Sequence, residues 1–214
     1  VPAIYLLRHG QASFGTDDYD VLSDLGVHQA RVAGAELERR ALRAPLLVSG
    51  TLQRQRDTAG LAGGQFGCEP YASDPRWNEF DAHALVDARL GGPGASAGLS
   101  SAEFQEVLDE AKREWMAVPG EGWHAFADAA HSALTELVAA VPRGSDAVVA
   151  TSAGVIAAVV TRVLAAPAET AIALNRVMIN ASLTLIAASP RRLSVVTFND
   201  HAHLLDEPGL VTYR

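Results

Sequence analysis

The chain has 214 residues, 49% of them hydrophobic and 20% charged, a balance that predicts one globular domain with a sizeable core. A net charge of −8 excludes nucleic-acid binding through general electrostatics but leaves room for a local anion pocket. A single cysteine excludes an internal disulfide, no Cys/His spacing suits a metal, and no run of about 18 apolar residues predicts a membrane span. Without a basic-then-apolar leader, the sequence predicts a cytoplasmic protein.

Residues 3–7 are the first predicted strand, because a continuous apolar run reads as buried on both faces. Ser23-Asp24 opens a helix through residue 42, along which Val27, Ala30, Gly34, Leu37 and Ala41 recur at helical spacing. After Pro45, Leu46-Leu47-Val48 is a second strand, and Ser49-Gly50-Thr51 turns it into a helix over 52–62. A third strand falls near 68–72. Residues 91–98 are a loop by their glycine and small-residue content. Ser100 and Glu103 introduce a helix over 101–117, and a further helix runs over 123–141 to Pro142 and Gly144. Ala147-Val148-Val149-Ala150 is a buried strand that leads into a helix over 154–165, and a short helix follows Pro167. Residues 177–187 and 193–198 pair as a hairpin around Ser189-Pro190.

Alternating strands and helices predict an α/β fold: a three-layer α/β/α sandwich whose mostly parallel sheet has an antiparallel edge. Residues 1–214 read as one domain, with a helical insertion at about 80–122. In such sheets ligands bind beyond the carboxyl ends of the strands. Arg8-His9-Gly10 stands at one of those ends. The arginine offers a planar cationic fork for phosphate, a neutral imidazole can attack phosphorus, and glycine allows close backbone approach.

Three more motifs follow strands: Ser49 to Ala59, Trp77-Asn78-Glu79, and Ala150-Thr151-Ser152-Ala153-Gly154-Val155-Ile156. With Leu7-Arg8-His9-Gly10-Gln11, they resemble the histidine phosphatase (phosphoglycerate mutase-like) superfamily over nearly the whole chain. The segment Asn180-Ala181-Ser182, read as part of a strand, and the closing 198–204 segment add to the likeness. The resemblance implies a phosphomonoester hydrolase that forms a phosphohistidine on His9, without cofactor or metal. Arg8 would hold phosphate oxygens. The Leu-x-Arg-x-x-x-Thr-Ala register of Leu52, Thr58 and Ala59 makes Arg54, not Arg56, the second phosphate-binding arginine. Glu79 would protonate the leaving oxygen, and Gln11 and the Ser152-Ala153 turn would contribute further phosphate contacts.

The chain departs from the family twice. Ser152 stands where a second histidine is usual, and Gly15 where many members carry a phosphate-binding asparagine. Serine donates a hydrogen bond but carries no positive charge. His201 and His203 are the sequence's possible substitutes. Plainer readings stand beside these roles: a solvated surface for Arg56, a surface acid for Glu79, and a helix cap for Ser152. Structural roles suit His28, His83, His124 and His131, and packing suits Trp77, Trp115 and Trp123. The partner implied is a small phosphorylated substrate, with no nucleic acid or membrane, and the oligomeric state is left open. A phosphoglycerate-mutase-like transferase ranks second, since residues 80–100 hold Arg89 as their one cation. A catalytically weak phospho-ligand binder ranks third.

Overall fold

The computed structural model describes residues 1–13, 20–189 and 192–213. Its one sheet has the order β3-β2-β4-β1-β5-β6. The parallel strands are β1 (Ala3–Arg8), β2 (Leu46–Ser49), β3 (Pro70–Ser73) and β4 (Ala147–Thr151). β5 (Leu183–Ser189) runs antiparallel to β1, and β6 (Arg192–Asp200) antiparallel to β5. The join at 190–191, including Pro190, lies outside the described residues, as does Gly15.

Seven helices are described: α1 (Asp24–Arg39), α2 (Gln53–Gly63), α3 (Ala82–Leu90), α4 (Ser101–Met116), α5 (Trp123–Ala140), α6 (Ala153–Val163) and α7 (Thr170–Val177). Side-chain alternation along β1 splits the core in two. Ile4 and Leu6 pack toward α5 and α6 with Ala130, Leu134, Ile156 and Val160. Tyr5 and Leu7 pack toward α1 and α2 with Ala33, Leu37, Ala59 and Ala62. The sheet is therefore the middle layer of three, as the alternating elements predict. Among the described residues, no helix is long and apolar enough to cross a membrane.

Local signals explain several helix ends. Ser23 accepts from Gly26 N–H at the start of α1. Ser100 and Glu103 form a reciprocal capping box on α4. Gly91 closes α3 with φ 106°.

Two expectations need correction. α1 stops at Arg39, short of residue 42, because Ala41 turns left-handed at φ 52° and its N–H closes a tighter bond to Glu38 O. Asn180-Ala181-Ser182 is a turn rather than strand, so β5 starts at Leu183 instead of 177. Ala181 takes φ 57° there, and its N–H reaches the carbonyls of Arg8 and His9 at 3.1 and 3.3 Å. That tertiary bond binds the turn to the end of β1.

Candidate active site

Parallel pairing sets β1 beside β4, with Arg8 opposite Thr151. His9 N–H then donates to Thr151 O at 2.9 Å, so the chain leaves both strands at one edge. Gly10 turns beneath α1, where a Cβ would come within 2.2 Å of Gly26 O. Its N–H donates to Thr58 Oγ1 at 3.1 Å, and the Thr58 hydroxyl donates to Arg54 O at 2.7 Å. Thr58 thus couples the first turn of α2 to the loop after β1, which sets Arg54 against His9.

His9 is buried. Its Nδ1 lies 2.7 Å from Gly10 O, a group that only accepts, so Nδ1 carries the proton. Nε2 keeps its lone pair and accepts from Arg54 Nε at 3.3 Å. Burial, then Arg8, then Arg54, hold the imidazole well below the ordinary histidine value; the Gly10 bond acts in the opposite sense. The ring is neutral at neutral pH.

Arg54 is buried and Arg56 exposed. Arg54 Nη1 also donates to Asp20 Oδ1 at 2.6 Å. The Asp20 carboxylate accepts from Gln53 N–H at 2.7 Å as well, capping an α2 whose own N-cap residue, Leu52, cannot. Arg8 sends its guanidinium to the carbonyls of Met178 and Tyr213, the latter at 3.1 Å. Gln11 receives the Ser23 hydroxyl on Oε1 at 3.0 Å, and its amide N–H groups have no partner among the described residues.

Asn78 and Thr51 exchange two bonds, Thr51 N to Oδ1 at 2.6 Å and Nδ2 to Thr51 Oγ1 at 2.7 Å. This locks the Trp77-Asn78-Glu79 segment across the end of β2. Glu79 Oε2 then accepts from Gly154 N–H at 2.9 Å at the start of α6. A Cβ on residue 154 would stand 2.1 Å from Glu79 Oε1, so only glycine admits this approach. Burial raises the Glu79 carboxyl above its usual range, against the lowering effects of Gly154 N–H, Lys112, Arg54 and Arg8.

Ser152 is fully buried and does not cap α6, which corrects the capping reading. Its Oγ accepts from Gln55 Nε2 at 2.8 Å. Ala153 N–H has no partner among the described residues. His201 and His203 are not brought to His9. His201 Nδ1 bonds Asn199 O at 2.7 Å, and His203 Nε2 bonds Ala181 O at 3.0 Å. The charges that act on His203 belong to Glu36, Asp200 and Arg40.

Three neighbours went unnoticed in the sequence: Asp20, Gln55 and Lys112. Lys112 is 2% exposed, donates to Asn175 Oδ1 at 3.0 Å, and lies over the Phe80 ring at 5.2 Å. Burial lowers its ammonium, and Glu79 and Asp109 raise it in part. With Phe80 and Gly154 it lines a cavity of about 10 Å³. Phe80, Trp115, Trp123 and Phe126 form a ring cluster with centroids 5.3 to 5.8 Å apart, which fastens the α4 insertion to this edge. Among the described residues, no three His, Cys, Asp or Glu side chains are grouped to hold a metal ion.

A neutral buried imidazole beside two arginines, with a carboxyl raised by burial, is the equipment of phosphoryl transfer. The sequence model of the histidine phosphatase superfamily (branch 1) matches residues 4–201. The chain belongs to that superfamily. Among solved structures it is similar to a mycobacterial glucosyl-3-phosphoglycerate phosphatase in complex with VO3, at 26% identity and TM-score 0.70, covering 94% of this chain and 100% of that one. A second mycobacterial hydrolase has 27% identity and TM-score 0.70, with coverage of 94% and 99%. A phosphoglycerate mutase from Bacillus anthracis, at 17% identity, TM-score 0.63 and 94% coverage of both chains, shares the fold. No curated protein matches the sequence. Membership in this superfamily, with the phosphatase likeness, supports an enzyme of phosphoryl transfer.

Proposed function

We propose that this histidine phosphatase hydrolyses a small phosphomonoester through a phosphohistidine on His9, without a metal. The observation that carries the reading is the Nδ1–H bond to Gly10 O, which leaves Nε2 unprotonated beside Arg54. Nε2 attacks phosphorus, and the P–O ester bond breaks in line. Glu79, whose carboxyl burial raises above its usual range, gives its proton to the departing oxygen. Water then attacks the phosphoenzyme, Glu79 takes a proton back, and inorganic phosphate leaves. Arg8, Arg54, Gln11, the Ala153 N–H and the Ser152 hydroxyl supply donors to the phosphoryl oxygens.

In this reading Ser152 fills the place of the second histidine with a neutral donor, and the chain works as one domain. The insertion at about 80–122 supplies the substrate side through α4. The glucosyl-3-phosphoglycerate phosphatase likeness supports a small phosphorylated organic substrate. One observation favours the mutase reading. Lys112 comes from outside residues 80–100 and adds a basic group beside Glu79, the kind of group that would hold an acidic substrate. Product analysis separates free phosphate from a rearranged ester.

The decisive test is acid quenching after incubation with labelled phosphomonoester. Wild-type protein is expected to retain an acid-labile label, and His9→Ala to lose both label and turnover while keeping its fold. Undiminished turnover in His9→Ala would end the mechanism.

A further inference from the structure

We propose that Gln55 is a positioning residue for phosphoryl transfer: it holds the Ser152 hydroxyl as an oriented donor toward the phosphoryl group. This rests on the reading above, in which Ser152 borders the phosphate. In a closed space each polar hydrogen needs an acceptor. Gln55 and Ser152 are both 0% exposed. Gln55 Nε2 donates one hydrogen to Trp77 O at 2.9 Å and the other to Ser152 Oγ at 2.8 Å. Trp77 O also accepts from the Thr151 hydroxyl at 2.6 Å. A carbonyl cannot donate, so the amide nitrogen must face Trp77, and Ser152 Oγ must be the acceptor.

The Ser152 proton is thereby left over. It has no acceptor among the described residues, and the hydroxyl makes no cap on α6. Gln55 Oε1 is itself buried without a donor among the described residues. The two bonds on the Gln55 nitrogen therefore fix the sense of the amide. The pair lies at the reacting edge. Gln55 follows Arg54, which donates to His9 Nε2, and Ser152 follows Thr151, which accepts from His9 N–H. In the reading above, a phosphoryl group on His9 would be offered a hydroxyl whose lone pair is already engaged by Gln55 and whose hydrogen no described acceptor takes. Such a donor is neutral and works equally at every pH where the enzyme is folded.

A double-mutant cycle on Gln55→Met and Ser152→Ala tests this. It is read as kcat/KM with a phosphomonoester and as the dissociation constant of orthovanadate by calorimetry. Vanadate binding does not require turnover, so the cycle holds even for a slow enzyme. Ser152→Ala is expected to lose about a hundred- to thousandfold in kcat with little change in KM, the range for a lost transition-state donor. Gln55→Met should lose about tenfold, and nothing further once Ser152 is alanine. Gln55→Glu, similar in shape but able to draw the serine proton to itself, should lose at least as much as Gln55→Met. Equal losses from Gln55→Met in both backgrounds would overturn the proposal and leave Gln55 a packing residue. Wild-type behaviour of Ser152→Ala would overturn it too, and with it the role of Ser152. A phosphoenzyme label on His9 would survive that result, so failure of this inference is distinguishable from failure of the phosphatase reading. Thermal melts of each variant separate unfolding from lost catalysis.

Discussion

Asp20 engages Arg54 Nη1, a donor that the phosphoryl group would need in the proposed mechanism, so Asp20→Asn should tighten anion binding. The carboxylate holds Arg54 Nη1 at 2.6 Å, with side-chain exposures of 33% for Asp20 and 10% for Arg54. A charge-assisted bond of this kind contributes about 1.5–3 kcal/mol. One partner is a third exposed, so the lower end, about 1.5 kcal/mol, is the appropriate figure after solvent screening. Asparagine has one acceptor oxygen in place of two. It can satisfy Gln53 N–H or Arg54, and a neutral bond to Arg54 recovers about 0.5 kcal/mol at the low end. The relief is therefore about 1 kcal/mol, or roughly fivefold in affinity. Removing a negative charge from beside a dianion acts in the same direction. The assay is competitive inhibition of aryl phosphate hydrolysis by orthovanadate at low salt, backed by calorimetry with His9→Ala. The inhibition constant should fall about fivefold, by the estimate above, and the gain should shrink as salt rises. An unchanged or raised constant would mean that Asp20 aligns Arg54 for the substrate rather than competing with it.

The other expectations follow from burial and geometry. Arg54→Ala should lower kcat/KM by about a hundredfold, the scale of a buried charged donor, while the exposed Arg56→Ala stays within about threefold. Glu79→Gln should slow alkyl phosphates far more than aryl phosphates, whose leaving groups hardly need a proton; equal losses would remove Glu79 from the acid role. The pH–rate profile should be a bell whose acid limb lies below the ordinary histidine value of 6.5 and whose alkaline limb lies above the ordinary carboxyl value of 4.5. Lys112 lowers the Glu79 value, so Lys112→Met should move the alkaline limb upward, and a limb that stays put or moves down would refute the coupling.

Much of this site follows from short-range patterns. The apolar run of β1 ends at Arg8 at the carboxyl end of the strand, and the candidate site residues follow there while burial continues through Gly10. Ser23 and the Ser100–Glu103 pair act locally, so their caps are readable from spacing alone. Arg54 and Arg56 differ by two helix positions, about 200° around the axis, which buries one and exposes the other. The turn at Ala181 was not readable. Its positive φ depends on the carbonyls of Arg8 and His9, distant in sequence, and alanine has no local preference for that conformation. Lys112 and Gln55 did leave a signal. Lys112 sits one helical turn after Leu108, and Gln55 one turn before Ala59, so each is a polar residue on a buried face. A long polar side chain in that position needs a partner, and both find it at the reacting edge. Asp20 gave no signal, since it is one acid among several in a stretch without periodicity.

One physical cause prepares both reacting groups. Desolvation disfavours charge, so it lowers a base and raises an acid at the same edge. In the proposed mechanism this favours a neutral His9 for attack and a protonated Glu79 for donation. The consequences for stability differ in sign. Between its lowered folded value and 6.5, the unfolded chain binds the His9 proton more readily, so stability is lost as pH falls through that window and is unaffected at neutral pH. Between 4.5 and its raised folded value, the native chain holds the Glu79 proton more readily, so stability declines as pH rises through that window and the loss persists at neutral pH. The neutral form of His9 is therefore kept at no expense to the fold at neutral pH, while Glu79 carries a standing penalty. Gly154 N–H and Lys112 limit that penalty by favouring the carboxylate. In the proposed hydrolysis one residue must give up its proton and take it back, and burial and these two groups act on Glu79 in opposite senses.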